Sequence, residues 1–349
     1  MAVLTQAREL VEVIAAHLKT WDSSPAHVEL AIFETDDAQR IASEIDAFCQ
    51  RELGSGVAHG LFYQTSIGSV SGVELVDTRR VVVKVHQPER TLSWLSEVAR
   101  VQRHLASLGL YATELLAGPS SLGRGHATVE RFADGGTVDD AHRPEIRRAL
   151  AQALYEIVAA CRPLVSGSQF ERPLLFSAPE ARLWPVPHSK LFDFEATSAG
   201  AEWIDAIAIA ARSEMKSEGE LVIGHGDWRA EHVRFVGTRP VVAFDWDSLC
   251  LQHEPALLGQ TAHAFCADWT REAFACAPTL EEARQFVADY ETARGAAFGD
   301  EERRQCGAAF AYACAYTARC SQALGADERA VPGTFMHLVA EVGLRLLAL

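Results

Sequence analysis

A chain of 349 residues exceeds the commonest single-domain size and predicts either two lobes or one large domain. With 48% hydrophobic and 23% charged residues it is neither disordered nor fibrous in composition. The formal net charge of −15, without any basic patch, excludes nucleic acid and an anionic membrane as expected partners, because both would be repelled.

The eight cysteines, from Cys49 to Cys320, are scattered and form no Cys-x-x-Cys pair, so they read as reduced core residues. No charged amino-terminal region leads into an apolar run, and no window reaches 18 uncharged apolar residues. A cytoplasmic protein is expected.

Residues 2–19 and about 36–53 carry apolar positions at helical spacing, for instance Leu10, Val11, Val13, Ile14 and Leu18. Between them, the alternation in Ala26–Phe33 suggests a short strand. Three strands follow: 61–65, 72–76 and 80–86, joined by 66–71 and 77–79 as an antiparallel meander. A helix is predicted over about 88–108, with Gly109 as its stop. His126–Phe132 reads as a connecting strand ended by Asp134-Gly-Gly136. From about Val138 onward the chain reads as largely helical, with helices near 256–267, 280–294, 301–322 and 333–348, apart from two short strands around one motif.

That motif is Ile223-Gly-His-Gly-Asp-Trp-Arg-Ala-Glu-His-Val233, followed by Val241-Val-Ala-Phe-Asp-Trp-Asp247. It sets Asp227 after a His-Gly turn and Asp245 at the end of a later apolar run. Two carboxylates so presented can serve a hydroxyl and a metal, which suits ATP-dependent phosphoryl transfer. Each aspartate also has a plainer reading, a turn cap for Asp227 and a strand-end surface residue for Asp245. Lys84 sits within Val81-Val-Val-Lys-Val85, where an unpaired ammonium would be costly to bury, so it needs a partner or an edge position. There is no Gly-x-x-x-x-Gly-Lys-Ser/Thr loop, no dinucleotide glycine fingerprint and no zinc spacing. Gly68-Ser-Val-Ser-Gly72 carries Val70 where a nucleophile elbow needs serine. The aromatic residues, Trp246 and Trp269 among them, read as core.

Residues 56–349 resemble the aminoglycoside phosphotransferase and choline kinase family, on the strength of His225-Gly-Asp227 with Asp245-Trp-Asp247. The resemblance implies an α+β, two-lobed protein-kinase-like fold. A helical extension over 1–55 precedes a nucleotide-binding small lobe over 56–132, a hinge near 128–134 and a helical large lobe over 133–349. It implies ATP and Mg²⁺ as cofactors and a small-molecule hydroxyl as substrate, an aminoglycoside, choline-like amine, amino-alcohol or sugar. Asp227 matches the aspartate that orients the acceptor hydroxyl and takes its proton, and Arg229 is placed to stabilise transferred charge or to pair with Glu231. His225 is expected to hold the loop. Asp245 matches the metal-binding aspartate, with Asp247 as an assistant or a helix cap. Lys84, held by Glu97, matches the lysine on the phosphates. Ser66, Gly68 and Ser69 occupy the phosphate-covering hairpin, and backbone groups near Glu130 and Phe132 match the adenine-pairing segment.

The departure is His232, where the family carries a metal-binding asparagine. Imidazole suits transition metals better than Mg²⁺. Three readings follow: metal held chiefly by Asp245, a different ion such as Mn²⁺, or a catalytically silent kinase-like binding protein.

Overall fold

The computed structural model describes residues 8–21, 26–179, 181–189, 191–215, 219–271 and 275–349. The described chain divides into two compact units, Met1–Asp134 and Gly135–Leu349. Among the described residues no helix is long and apolar enough to cross a membrane.

The first unit opens with helices α1 (Leu10–Leu18), α2 (His27–Phe33) and α3 (Ala38–Leu53). Asp37 starts α3 by accepting the Gln39 amide at 2.9 Å, a cap worth about 1 kcal/mol. The beginning of the helix read over 2–19 lies outside the described residues. The strand read over 26–33 is a helix instead. Its alternation was too short to separate the two periods, and packing decides, since Ile32 and Phe33 are buried in the common core.

Five strands make one sheet: β1 (Val57–Thr65), β2 (Ser69–Leu75), β3 (Arg80–His86), β4 (Leu115–Leu122) and β5 (Gly125–Arg131). Their order is β1-β2-β3-β5-β4, and every neighbouring pair is antiparallel. The expected three-strand meander is present. The expected connecting strand is an inner strand of this sheet, and β4 went unread, because Leu-Leu-Ala-Gly-Pro-Ser-Ser-Leu lacks alternation and carries a proline.

Along β3, Val81, Val83 and Val85 are fully buried and share a core with Ile14 of α1, Phe33 of α2 and Ile45 and Phe48 of α3. The period of two then puts Val82 and Lys84 on the opposite face. Residues directly opposite in a ladder share a face, so Lys84 lies with Val70 and Thr128, and Val82 with Glu130. Helix α4 (Leu92–Ser107), capped by Thr91 on the Trp94 amide at 3.2 Å, buries Leu95, Val98, Val101 and Leu105.

The second unit contains helices α5 (Pro144–Cys161) and α6 (Glu202–Glu214), then strands β6 (Leu221–His225), β7 (Val233–Val236), β8 (Arg239–Ala243) and β9 (Leu249–His253). Helices α7 (Glu254–Ala264), α8 (Leu280–Arg294), α9 (Asp300–Ala323) and α10 (Phe335–Val342) complete it. Four short strands thus flank the motif where two were expected. They pair as β6 with β9 and β7 with β8.

Helix α9 is the spine of this unit, buried continuously from Gln305 to Tyr316. Its small residues permit close approach to α7, where a Cβ on Gly259 would lie 2.1 Å from the Cys306 carbonyl. A capping box starts α8, with Thr279 and Glu282 satisfying each other's amides, and Glu282 also accepts from Nδ1 of His142 at 2.9 Å.

Candidate active site

Strand β6 ends at His225 and pairs with β9 in the register His225↔Leu249. The β7–β8 hairpin, in the register Val233↔Ala243, returns the chain beside its own start. Asp245 therefore emerges next to His232, and the Phe244 amide donates to the His232 carbonyl at 2.9 Å. The result is one group, Asp227, His232 and Asp245, whose ligand atoms lie within 4.8 Å of one another.

His225 is fully buried and ties the two loops together. Its Nε2–H donates to the Phe244 carbonyl at 2.9 Å, and its Nδ1 accepts the Asp227 amide at 3.2 Å. Both bonds require the neutral ring, and burial, followed by the neighbouring His232, lowers its pKa. Trp228 and Trp246 pack edge-on against the ring at 5.5 and 5.6 Å. Each buried indole N–H is satisfied, Trp228 by the Leu150 carbonyl and Trp246 by the Ala243 carbonyl, both at 3.0 Å.

Arg229 donates to Asp227 through Nη1 and to Glu231 through Nε, the latter at 3.1 Å. It therefore pairs with Glu231, as one of its two readings had it, and faces Asp227 as well. Burial works against the guanidinium's charge, while Asp227 and Glu231 outweigh it and raise the pKa. The Asp227 side chain keeps 38% of its surface exposed. The Glu231 oxygen that accepts from Arg229 also accepts the Trp269 amide at 3.1 Å.

His232 donates from Nδ1 to the Asp227 carbonyl at 2.9 Å. A carbonyl only accepts, so a neutral His232 carries its proton on Nδ1 and leaves the lone pair on Nε2. Asp245 has left-handed backbone, φ 64°, which aspartate tolerates better than most residues, and its Oδ2 accepts from the Ser248 hydroxyl at 3.1 Å. Two carboxylates and an imidazole this close fit a divalent cation: the carboxylates suit Mg²⁺, and the imidazole adds a donor that favours Mn²⁺. Asp247 lies in the 3₁₀ turn Trp246–Ser248, outside this group of three. It does not cap α7, whose N-cap is His253.

In the first unit, Lys84 is half-buried on β3, and Glu97 on α4 accepts both arms of Arg100 at 2.6 and 2.9 Å. Ser66 and Gly68 form the β1–β2 turn, with the Ser66 amide donating to the Gly68 carbonyl at 3.0 Å. A Cβ on Gly68 would meet the Val85 carbonyl at 2.4 Å, so the hairpin lies close on β3. Ser69 is buried opposite Val85. Glu130 accepts the Thr113 hydroxyl at 2.5 Å, and the Phe132 amide donates to the Arg80 carbonyl at 3.1 Å.

Residues without a motif also shape the site. Gln260 on α7 donates to the Gly226 carbonyl, beside Asp227. His188 and His263 both feel the charges of Asp227 and Arg229, and burial lowers the pKa of each, that of His263 to about 4. Trp246 is core as read, whereas Trp269 is 51% exposed. Only the fold brings these four residues to the loop.

A β-sheet lobe and a helical unit carrying a paired-aspartate loop define a phosphotransferase-type fold. The profile of the phosphotransferase enzyme family matches residues 68–295, more than half of the chain, and the chain belongs to that family. No protein of curated function matches it in sequence. Its fold is similar to that of spectinomycin phosphotransferase APH(9)-Ia, solved with ADP and spectinomycin, at a TM-score of 0.57 and 11% identity over 87% of this chain and 98% of that one. It is also similar to the amicoumacin kinase hAmiN, solved with AMP-PNP, Ca²⁺ and Ami, at a TM-score of 0.53 and 11% identity over 82% and 87% of the two chains. The protein therefore has the α+β protein-kinase-like fold.

Proposed function

We propose that this protein moves the γ-phosphate of ATP to a hydroxyl of a small molecule. The observation that carries the reading is the meeting of Asp227, His232 and Asp245 within 4.8 Å, in a chain of the phosphotransferase family. The ADP and AMP-PNP held by the two structural relatives support ATP as donor.

Asp227 aligns the acceptor hydroxyl and accepts its proton as the hydroxyl oxygen bonds to the γ-phosphorus and the bond to the ADP oxygen breaks. His225 fixes the Asp227 backbone amide and Arg229 its carboxylate, and Arg229 also faces the charge that develops on the transferred group. Asp245, assisted by His232, would hold the divalent cation, whose charge would offset that of the phosphate oxygens. Residues 56–132 are assigned to the nucleotide: Lys84, oriented by Glu97, to the phosphates, the Ser66–Ser69 hairpin to their cover, and the backbone around Glu130 and Phe132 to the adenine. The cytoplasm, where ATP is abundant, is the expected location.

The test is a thermal-shift titration with ADP and Mg²⁺ or Mn²⁺, followed by a transfer screen over hydroxyl-bearing compounds. A binder of the folded state raises its stability, by about 2.7 kcal/mol at a hundred times Kd. No shift at millimolar nucleotide would overturn the proposal, and a shift without transfer to any acceptor would favour a silent binding protein.

A further inference from the structure

We infer that Glu231 is a positioning residue for phosphoryl transfer: it holds one edge of Arg229, so that a second part of the guanidinium meets Asp227 and the Nη2 arm is left for the transferred group. The inference rests on the phosphotransfer reading and adds to it a residue that works through Arg229.

Glu231 is itself held at three points. Its amide donates to the Ala267 carbonyl at 3.4 Å, its carbonyl accepts from Nη1 of Arg234 at 2.8 Å, and its Oε2 accepts the Trp269 amide at 3.1 Å. One residue earlier, the Ala230 amide donates to the Phe265 carbonyl at 2.8 Å. The backbone that follows α7 therefore fixes both the main chain and the carboxylate of Glu231. Arg234 ties the same point to the second loop, because its guanidinium lies 5.1 Å from the ring centroid of Phe244, the neighbour of Asp245.

Arginine is a mobile stem ending in a rigid planar fork, so fixing Nε fixes the plane from which both Nη arms project. Arg229 Nε donates to Glu231 Oε2 at 3.1 Å, the oxygen already pinned by the Trp269 amide, and Nη1 donates to Asp227. Among the described residues Nη2 of Arg229 donates to none, and it is the arm that can meet negative charge on a transferred phosphoryl group. Without Glu231 the fork would have Asp227 as its one remaining carboxylate partner and could close on it with two arms, the preferred geometry of an arginine and a lone carboxylate. Nη2 would then be spent on the proton acceptor. The Arg229 and Glu231 side chains are only 17% and 19% exposed, so water does not readily replace either partner.

The test follows phosphate release from ATP by the full chain with Mg²⁺, with water as the acceptor. Glu231→Met keeps the length of the side chain without its oxygens, and should lower kcat about tenfold while KM for ATP stays within about threefold. Glu231→Gln keeps an acceptor oxygen at the same reach and should recover most of that loss. Arg229→Met should lower kcat at least as far, and adding Glu231→Met to it should lower kcat no more than about twofold further, because the glutamate acts through the arginine. Glu231→Ala takes the place of Glu231→Met, with the same expectations, if the methionine variant does not fold. Native kcat in Glu231→Met, equal losses in the Gln and Met variants, losses that multiply in the double variant, or a loss carried by KM would each overturn the inference. ADP binding is measured on the same samples. A native protein that binds ADP but releases no phosphate would overturn the inference, and one that binds no ADP would sink the phosphotransfer reading as well.

Discussion

His225 holds Asp227 from behind: one ring nitrogen accepts the Asp227 amide at 3.2 Å while the other donates to the carbonyl of Phe244, next to Asp245, at 2.9 Å. A single buried imidazole thus sets the spacing between the two carboxylates. His225→Ala would leave an amide and a carbonyl unpaired and open a void between Trp228 and Trp246. It should destabilise the fold by about 3 kcal/mol in urea unfolding, and an unchanged midpoint would refute the bridging role.

The two aspartates should separate in their effects. Asp227→Asn should keep most of its ADP affinity with Mg²⁺, because Asp245 and His232 still face the cation, while transfer falls by at least about 10²-fold. Asp245→Asn, which keeps a side chain tolerant of left-handed backbone, should lose the metal-dependent part of nucleotide affinity in calorimetry. Equal calorimetric behaviour of the two variants would contradict the division of labour.

His232 should set the choice of ion. With its Nδ1 given to the Asp227 carbonyl, Nε2 is the nitrogen available to a cation, and imidazole favours Mn²⁺ over Mg²⁺. His232→Asn should therefore shift the ADP-dependent thermal stabilisation from Mn²⁺ toward Mg²⁺. Identical Mn²⁺ to Mg²⁺ ratios in the two proteins would show that His232 does not ligate.

Stability should fall on the acid side of neutrality. His225, His188 and His263 are neutral in the fold because burial depresses each pKa, that of His263 to about 4. Their contribution is present above the unfolded value of about 6.5 and is lost as pH drops below it, over the window down to about 4 for His263. His142 runs the other way. Contacts with Cys266 and then Glu282 raise its pKa, so its contribution is complete below about 6.5 and declines as pH rises toward its folded value. Melting temperature against pH should peak near neutrality, and His263→Gln should flatten the acid limb. A limb as steep as the native one would count against a neutral His263.

Gly68→Ala places a methyl group against backbone at the Val85 carbonyl, which cannot rotate away. The β1–β2 hairpin must lift from β3, so nucleotide affinity should drop while the melting temperature changes little. Native affinity in this variant would remove the hairpin from the nucleotide site.

Much of this was visible before any coordinates. Strand β3 and helix α4 announce themselves through periods of two and 3.6, since their burial is one-sided. The segment at 26–33 and strand β4 do not, because a short run buried by neighbours carries no period of its own. The fold class was legible because His225-Gly-Asp227 and Asp245-Trp-Asp247 stand together in sequence as they do in the family the chain resembles.

The chain's own order therefore determined that a His-Gly-Asp turn and a second aspartate flank a hairpin, and that Lys84 interrupts an apolar strand. Tertiary structure decided the rest: that His225 links both loops, that Arg229 engages Asp227 and Glu231 together, and that Gln260, His188, His263 and Trp269 join them from α7, α9's surroundings and the segment before α8. Hydrogen bonds and ring contacts between residues far apart in the chain leave no local pattern, so only packing of the helices around the loop reveals them.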